Sequence, residues 1–261
     1  ERKSIKIEWI ETKQKLEHYD EIVSIIDEII NDSDFQSIKP QLMLYKVKAY
    51  KNSGRLDLAK EILNDITLEY SKKNETAEAY FILGSISLFE DFNIEESKEY
   101  FQKSVDEKSR SEFGKKSKSI NEKIDDYEQM LDDYSYFKNN IPTDTLHIEE
   151  NIIDDMNMSL PVTKGEILID SILFEIGQIL YFDFNQADSA IARYHYLLNK
   201  FPETKYKKQL LDIIEYHKNP SLSFNLDDND FNNKKDTLEY KRDKAIDINS
   251  IESRLDFYNS M

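Results

Sequence analysis

Between Glu112 and Phe137 the apolar residues Ile120, Ile124, Tyr127, Leu131 and Tyr134 fall three and four apart, with Asp125, Asp126, Asp132 and Asp133 between them. That spacing predicts an amphipathic α-helix of several turns, with the aspartates on its solvated side. Its apolar stripe suits a cap on the preceding helices; a partner helix is the alternative. Upstream, Tyr50, Gly54, Ala59, Leu63 and Ile66 read as one helix ending near a glycine and a second whose stripe begins five residues later on a small residue. A helical hairpin closed around a small contact residue follows. An earlier copy runs through Trp9, Tyr19, Ile22, Ile26 and Ile29, and Ile22, Ala59 and Ser97 stand 37 and then 38 positions apart. A repeat of that period signals hairpins stacked side by side.

A second comparison within the chain is sharper. Residues 83–120 and 176–213 align without a gap, 93 positions apart: Gly84 with Gly177, Phe89 with Phe182, Ser97 with Ala190, Phe101 with Tyr194, and Ser111 and Phe113 with Thr204 and Tyr206. A glycine within a helix costs about 1 kcal/mol relative to alanine, so packing must offset it. The reading is that the glycine lets two helices approach, Ser97 or Ala190 fills the crossing, and Phe101 or Tyr194 packs into the next hairpin.

The run Ala190, Ile191, Ala192, Tyr194, Leu197, Leu198, Phe201, Pro202, Thr204, Tyr206 resembles the tetratricopeptide repeats of bacterial envelope proteins of the β-barrel assembly component D type. There Pro stops one helix and Ser or Thr caps the next. The resemblance covers residues 166–217 well and 40–120 moderately. It implies an all-α chain of tetratricopeptide-like hairpins stacked as an α-solenoid, acting as a non-enzymatic protein–protein interaction scaffold. It also implies membership of a larger assembly, and a setting on the periplasmic side of the bacterial cell envelope, as a lipoprotein; the cytoplasm is the alternative. The chain starts at Glu1 rather than Met, which leaves open a leader or lipid anchor ahead of it. Two departures stand out: Lys108, Ser109 and Arg110 replace the Phe-Pro of 201 and 202, so that helix should end less sharply, and the repeats are interrupted.

The interruption covers residues 139–164, where Asn139, Asn140, Pro142 and Pro161 mark a linker or excursion. It separates an N-terminal repeat region with its long capping helix, 1–138, from a C-terminal repeat, 165–218. Residues 219–261 read as an acidic loop and a final helix, Thr237 to Tyr258, with Ile248, Ile251, Leu255 and Tyr258 on one stripe.

Composition narrows the function. The formal charge of −17 repels phosphate backbones and anionic lipid headgroups, so proteins or peptide segments are the expected partners and nucleic acid is not. Zero cysteines exclude disulfides and thiolate chemistry. No apolar run is long enough for a transmembrane helix.

No paired-histidine metal motif, nucleophile elbow or phosphate-binding glycine loop occurs, and the residues imply neither catalysis nor a cofactor. His18, His147, His195 and His217 do not converge in sequence, and the paired aspartates read as a solvated face. The sharpest chemical motif is Asp228, Asp230, Asn232, Lys234, Asp236 and Glu239, spaced like a calcium-binding EF-hand loop. Asn233 stands in place of its turn glycine. A calcium-responsive regulatory module is therefore the alternative function. On a stacked-hairpin scaffold the first helix of each pair lines the binding groove, which nominates Lys48, Lys51, Asn52, Ser85, Phe89, Gln178, Tyr181 and Phe182 as partner contacts. Core packing is the competing role for Phe89 and Phe182.

Overall fold

The computed structural model describes residues 2–140 and 162–219. Every regular element among them is helical: α1 (Arg2–Lys15), α2 (Tyr19–Ile29), a short 3-10 turn (Ser33–Ile38), α3 (Lys39–Asn52), α4 (Leu56–Glu69), α5 (Asn74–Phe89), α6 (Ile94–Lys108), α7 (Glu112–Asn140), α8 (Val162–Gln178) with a π-helical end (Ile179–Asp183), α9 (Ala187–Lys200) and α10 (Lys207–Lys218). The chain divides into two compact units between Ile124 and Asp125, within α7. The fold is an all-α arrangement of helical hairpins: α1/α2, α3/α4 and α5/α6 in the first unit, α8/α9 in the second.

A single backbone device shapes all four hairpins. The turn residues Glu17, Gly54, Phe92 and Asn185 have φ of 58°, 77°, 48° and 53°. Five residues after each comes the buried contact residue of the second helix: Ile22, Ala59, Ser97 and Ala190. A left-handed residue ends the first helix and reverses the chain; the buried residue then seats the second helix against the first. Only at Gly54 is that conformation free of a Cβ penalty.

The turns fall into two kinds. After α1 and α3 they are Schellman motifs: Glu17 N–H donates to Gln14 O and His18 N–H to Lys13 O, and the same pair of bonds joins Gly54 to Lys51 and Arg55 to Tyr50. After α5 and the π turn the bonds reach further back. Asp91 N–H donates to Ile86 O and Asn93 N–H to Ser87 O; 93 positions on, Phe184 N–H donates to Ile179 O and Gln186 N–H to Leu180 O.

In the first unit, Ile10, Ile22, Ile26, Ile29, Phe35, Leu42 and Ala49 form one buried cluster. Helix α5 is buried from Phe81 through Leu88, as expected of a helix apolar all round. Ser104 Oγ donates to Ala77 O at 2.7 Å, tying α6 to α5, and Asn93 caps α6 by accepting from Glu96 N–H. The apolar stripe of α7 is shared between the units. Phe113 lies against Phe81 and Asn121 reaches Lys98 O in the first, whereas Tyr127 meets Phe184 and Tyr134 bonds Tyr196 in the second. It is therefore not simply a cap on the preceding hairpin. Asp125, Asp126 and Asp132 are exposed.

Two expectations need correction. Phe101 and Tyr194 do not serve as the rings that reach the next hairpin; each covers the glycine of its own. A Cβ on Gly84 would lie 2.9 Å from Phe101 Cδ1, and one on Gly177 would lie 2.1 Å from Tyr194 Cε1. The glycines make room for a ring, not chiefly for a close backbone crossing. The rings that reach back are Phe113 in the first turn of α7, 5.4 Å from Phe81, and Tyr206 at the N-cap of α10, 4.0 Å from Phe174 and nearly parallel to it. The second correction concerns the end of α6, which stops at Lys108 without a Phe-Pro pair, with α7 starting four residues later. Ser111 Oγ accepts from Gly114 N–H, and a Cβ on Gly114 would sit 2.2 Å from Lys108 O, so the missing side chain permits the tight turn. The Asp228–Glu239 loop, the Thr237–Tyr258 helix, His147 and most of the 139–164 stretch lie outside the described residues.

Candidate functional site

In the first unit the leading helices of successive hairpins are joined along one face by polar side chains. Tyr45 Oη on α3 donates to Glu11 Oε1 on α1 at 2.7 Å, and Lys48 Nζ on α3 lies 2.8 Å from Glu78 Oε1 on α5. The second of these is an ion pair off the hydrogen-bond line. Burial and the bond to Glu11 push the Tyr45 hydroxyl up to about 12. The α1–α3–α5 face is thus polar and cross-linked, and sequence reasoning had marked only its α3 and α5 members. Glu11 and Tyr45 stand 34 residues apart, short of the 37- and 38-residue repeat, so the spacing along the chain gives no signal for their pairing.

Charge is segregated between the layers. Helices α1 and α3 carry nine cations against two acids, and α2 and α4 eight acids against one cation. Several cross-layer pairs follow: Lys13–Glu21 at 2.7 Å, Lys46–Asp27 at 2.5 Å and Lys39–Glu69 at 3.5 Å. Most sit at the surface, where a pair contributes at most about 1 kcal/mol.

The predicted contact residues separate into surface and interior. Lys48 and Lys51 are half-buried and Asn52 is exposed, all near the end of α3. Burial holds the Lys51 amine below its usual range, with Glu90 opposing and Lys48 adding to that shift. Ser85 is buried, its hydroxyl donating to Phe81 O at 2.8 Å. Phe89 is half-buried. In the second unit Gln178 Nε2 donates to Tyr194 Oη at 3.1 Å, Tyr181 lies edge-on to Phe182 and His217, and Phe182 is buried. Ser85 and Phe182 therefore pack in the interior, as the competing reading for Phe182 had it.

The second unit also holds a polar cluster that residue spacing does not reveal. Thr204 Oγ1 donates to the buried Asp170 carboxylate at 2.7 Å, and Tyr206 Oη donates to Ser171 Oγ at 3.1 Å. Its effect is to fasten the segment before α10 onto α8. The exposed His195 has no part in it, and His217 faces Asp188 at 3.4 Å. Among the described residues no group of three or more His, Asp or Glu is placed to hold a metal ion, and no helix is long and apolar enough to cross a membrane.

Fold and face together define a class: an all-α protein of stacked helical hairpins with a polar, ion-paired surface along its leading helices. No family model, curated protein or solved structure matches the chain.

Proposed function

We propose that this chain is a non-enzymatic interaction scaffold of tetratricopeptide type, which binds a segment of another protein along the leading helices of its hairpins. The observation that carries the reading is the repeated turn: within each of the four hairpins a left-handed residue stands five positions before a buried contact residue, as Lys72 does again before Ala77 where α4 leads into α5. It indicates repeated hairpin units, an architecture that offers extended surfaces to other polypeptides. Lys48, Lys51 and Asn52 supply contact groups in the first unit, and Gln178 and Tyr181 in the second. A place in a larger assembly at the periplasmic side of the bacterial envelope, as a lipoprotein, is the setting this reading favours. The calcium alternative rests on Asp228 to Glu239 alone.

Site-specific photo-crosslinking in the native cell tests the proposal. A photoreactive residue at Asn52 should give a discrete adduct, and one at the exposed Glu61 on α4 should not. Equal labelling from both positions, or from neither, would count against a docking face on the leading helices.

A further inference from the structure

We infer that the face made by α3 and α5 docks an acidic segment of a partner protein, with Lys51 receiving one of its side-chain carboxylates. The inference rests on the scaffold reading and adds the chemistry of the partner. Helix α3 carries four lysines and no acid. Three of them have a carboxylate of this chain within 4 Å, each from a different element: Lys39 has Glu69 of α4, Lys46 has Asp27 of α2, and Lys48 has Glu78 of α5. Lys51 is half-buried, yet among the described residues it has no ion pair or hydrogen bond.

A cation drawn partly out of water normally acquires a counter-charge, because desolvation penalises the charged form unless an anion or acceptor offsets it. Glu90, which follows α5, is near enough to act on Lys51 through space but stands exposed and out of contact. The other charges around this end of α3 are already engaged: Lys48 with Glu78, and Glu112 with Lys116 at 2.9 Å. Beside Lys51 the exposed amide of Asn52 offers a second donor. An acidic side chain arriving from outside would complete at Lys51 the pattern that the other three lysines of α3 complete internally.

The test uses the full chain and a fluorescent ten-residue peptide of Glu, Asp and Ser, acetylated and amidated so that side-chain carboxylates are its only anions. A Gln/Asn/Ser peptide serves as control. The acidic peptide should bind and the control should not. Lys51→Gln should weaken binding about tenfold, a loss of about 1.4 kcal/mol, Lys51→Arg should largely preserve it, and Lys118→Gln, which removes an exposed cation of α7, should leave it unchanged. Affinity should fall as salt is raised. No binding of the acidic peptide, equal binding by Lys51→Gln while Lys51→Arg stays folded, or equally tight binding of a single-stranded oligonucleotide would overturn the inference. A crosslinked adduct at Asn52 together with any of these outcomes would leave the scaffold reading standing and remove only the acidic partner.

Discussion

Hairpins α5/α6 and α8/α9 follow one plan with different rings at the centre. Each has a glycine in its first helix covered by an aromatic from its second, Phe101 on Gly84 and Tyr194 on Gly177. Each has a further ring in the first helix, Phe81 or Phe174, that meets both the covering ring and one from the next helix. They differ at the covering ring's hydroxyl. Tyr194 is buried, and its Oη accepts from Gln178; the matching position in the first hairpin is Ser85, whose hydroxyl is spent on Phe81 O. The lesson is that the repeat conserves shape at its centre, while each copy satisfies its polar atoms separately.

The largest consequence concerns the glycines. Gly177→Ala should destabilise the second unit by about 2–3 kcal/mol, because the new methyl would meet a buried ring at 2.1 Å. Gly84→Ala, meeting its ring at 2.9 Å and gaining up to about 1 kcal/mol of helix propensity, should cost about 1 kcal/mol or less. Urea denaturation of the two variants checks the order, and equal losses would dissolve the distinction. Next in size is a ring exchange. Phe101→Tyr should cost about 1–2 kcal/mol by burying a hydroxyl with no partner, and Ser85→Gln added to it should recover part of that loss.

A smaller effect separates the turns. Glu17 is exposed in the left-handed region, whereas Gly54 holds the same turn in the next hairpin without a side chain. Glu17→Gly should therefore stabilise the first unit by about 0.5–1 kcal/mol, and Gly54→Ala should cost about 1 kcal/mol although nothing lies within 4 Å of the added methyl. The finest test is alkaline pH. Burial raises the folded-state hydroxyl of Tyr194 above its usual range and pushes Tyr134 up to about 12. Stability from these groups is intact below about pH 10, where an unfolded tyrosine is neutral, and is lost as pH rises through the folded values. Tyr194→Phe should make that decline shallower, as urea midpoints between pH 9 and 12 would record.

Much of the repeat could be read before any coordinates. The ungapped match of Gly84 with Gly177 and Phe101 with Tyr194 located the centres of two hairpins, and the 37- and 38-residue spacings located the other two. Phe81 and Phe174 lie just ahead of the matched blocks, so the match does not mark them as the rings that join each hairpin to the helix after it. The aromatics were assigned to the wrong neighbour because spacing along a helix fixes a face without saying which helix lies across from it. The left-handed turns were hidden for a similar reason: only Gly54 advertises its conformation, while Glu17 and Phe92 adopt it under tertiary constraint. On the candidate face, Lys48, Lys51 and Asn52 are nominated because the first helix of each pair lines the surface of a stacked-hairpin scaffold, and they lie half-buried or exposed near the end of α3. Ser85 and Phe182 proved interior because α5 and the end of α8 are apolar nearly all round.

The glycine and its covering ring act as one unit, and a double-mutant cycle between Gly177→Ala and Tyr194→Leu measures that directly. With leucine at 194 the ring is gone, so the cost of Gly177→Ala should fall from about 2–3 kcal/mol to near zero, a coupling of about 2 kcal/mol. Additive losses within about 0.5 kcal/mol would contradict it.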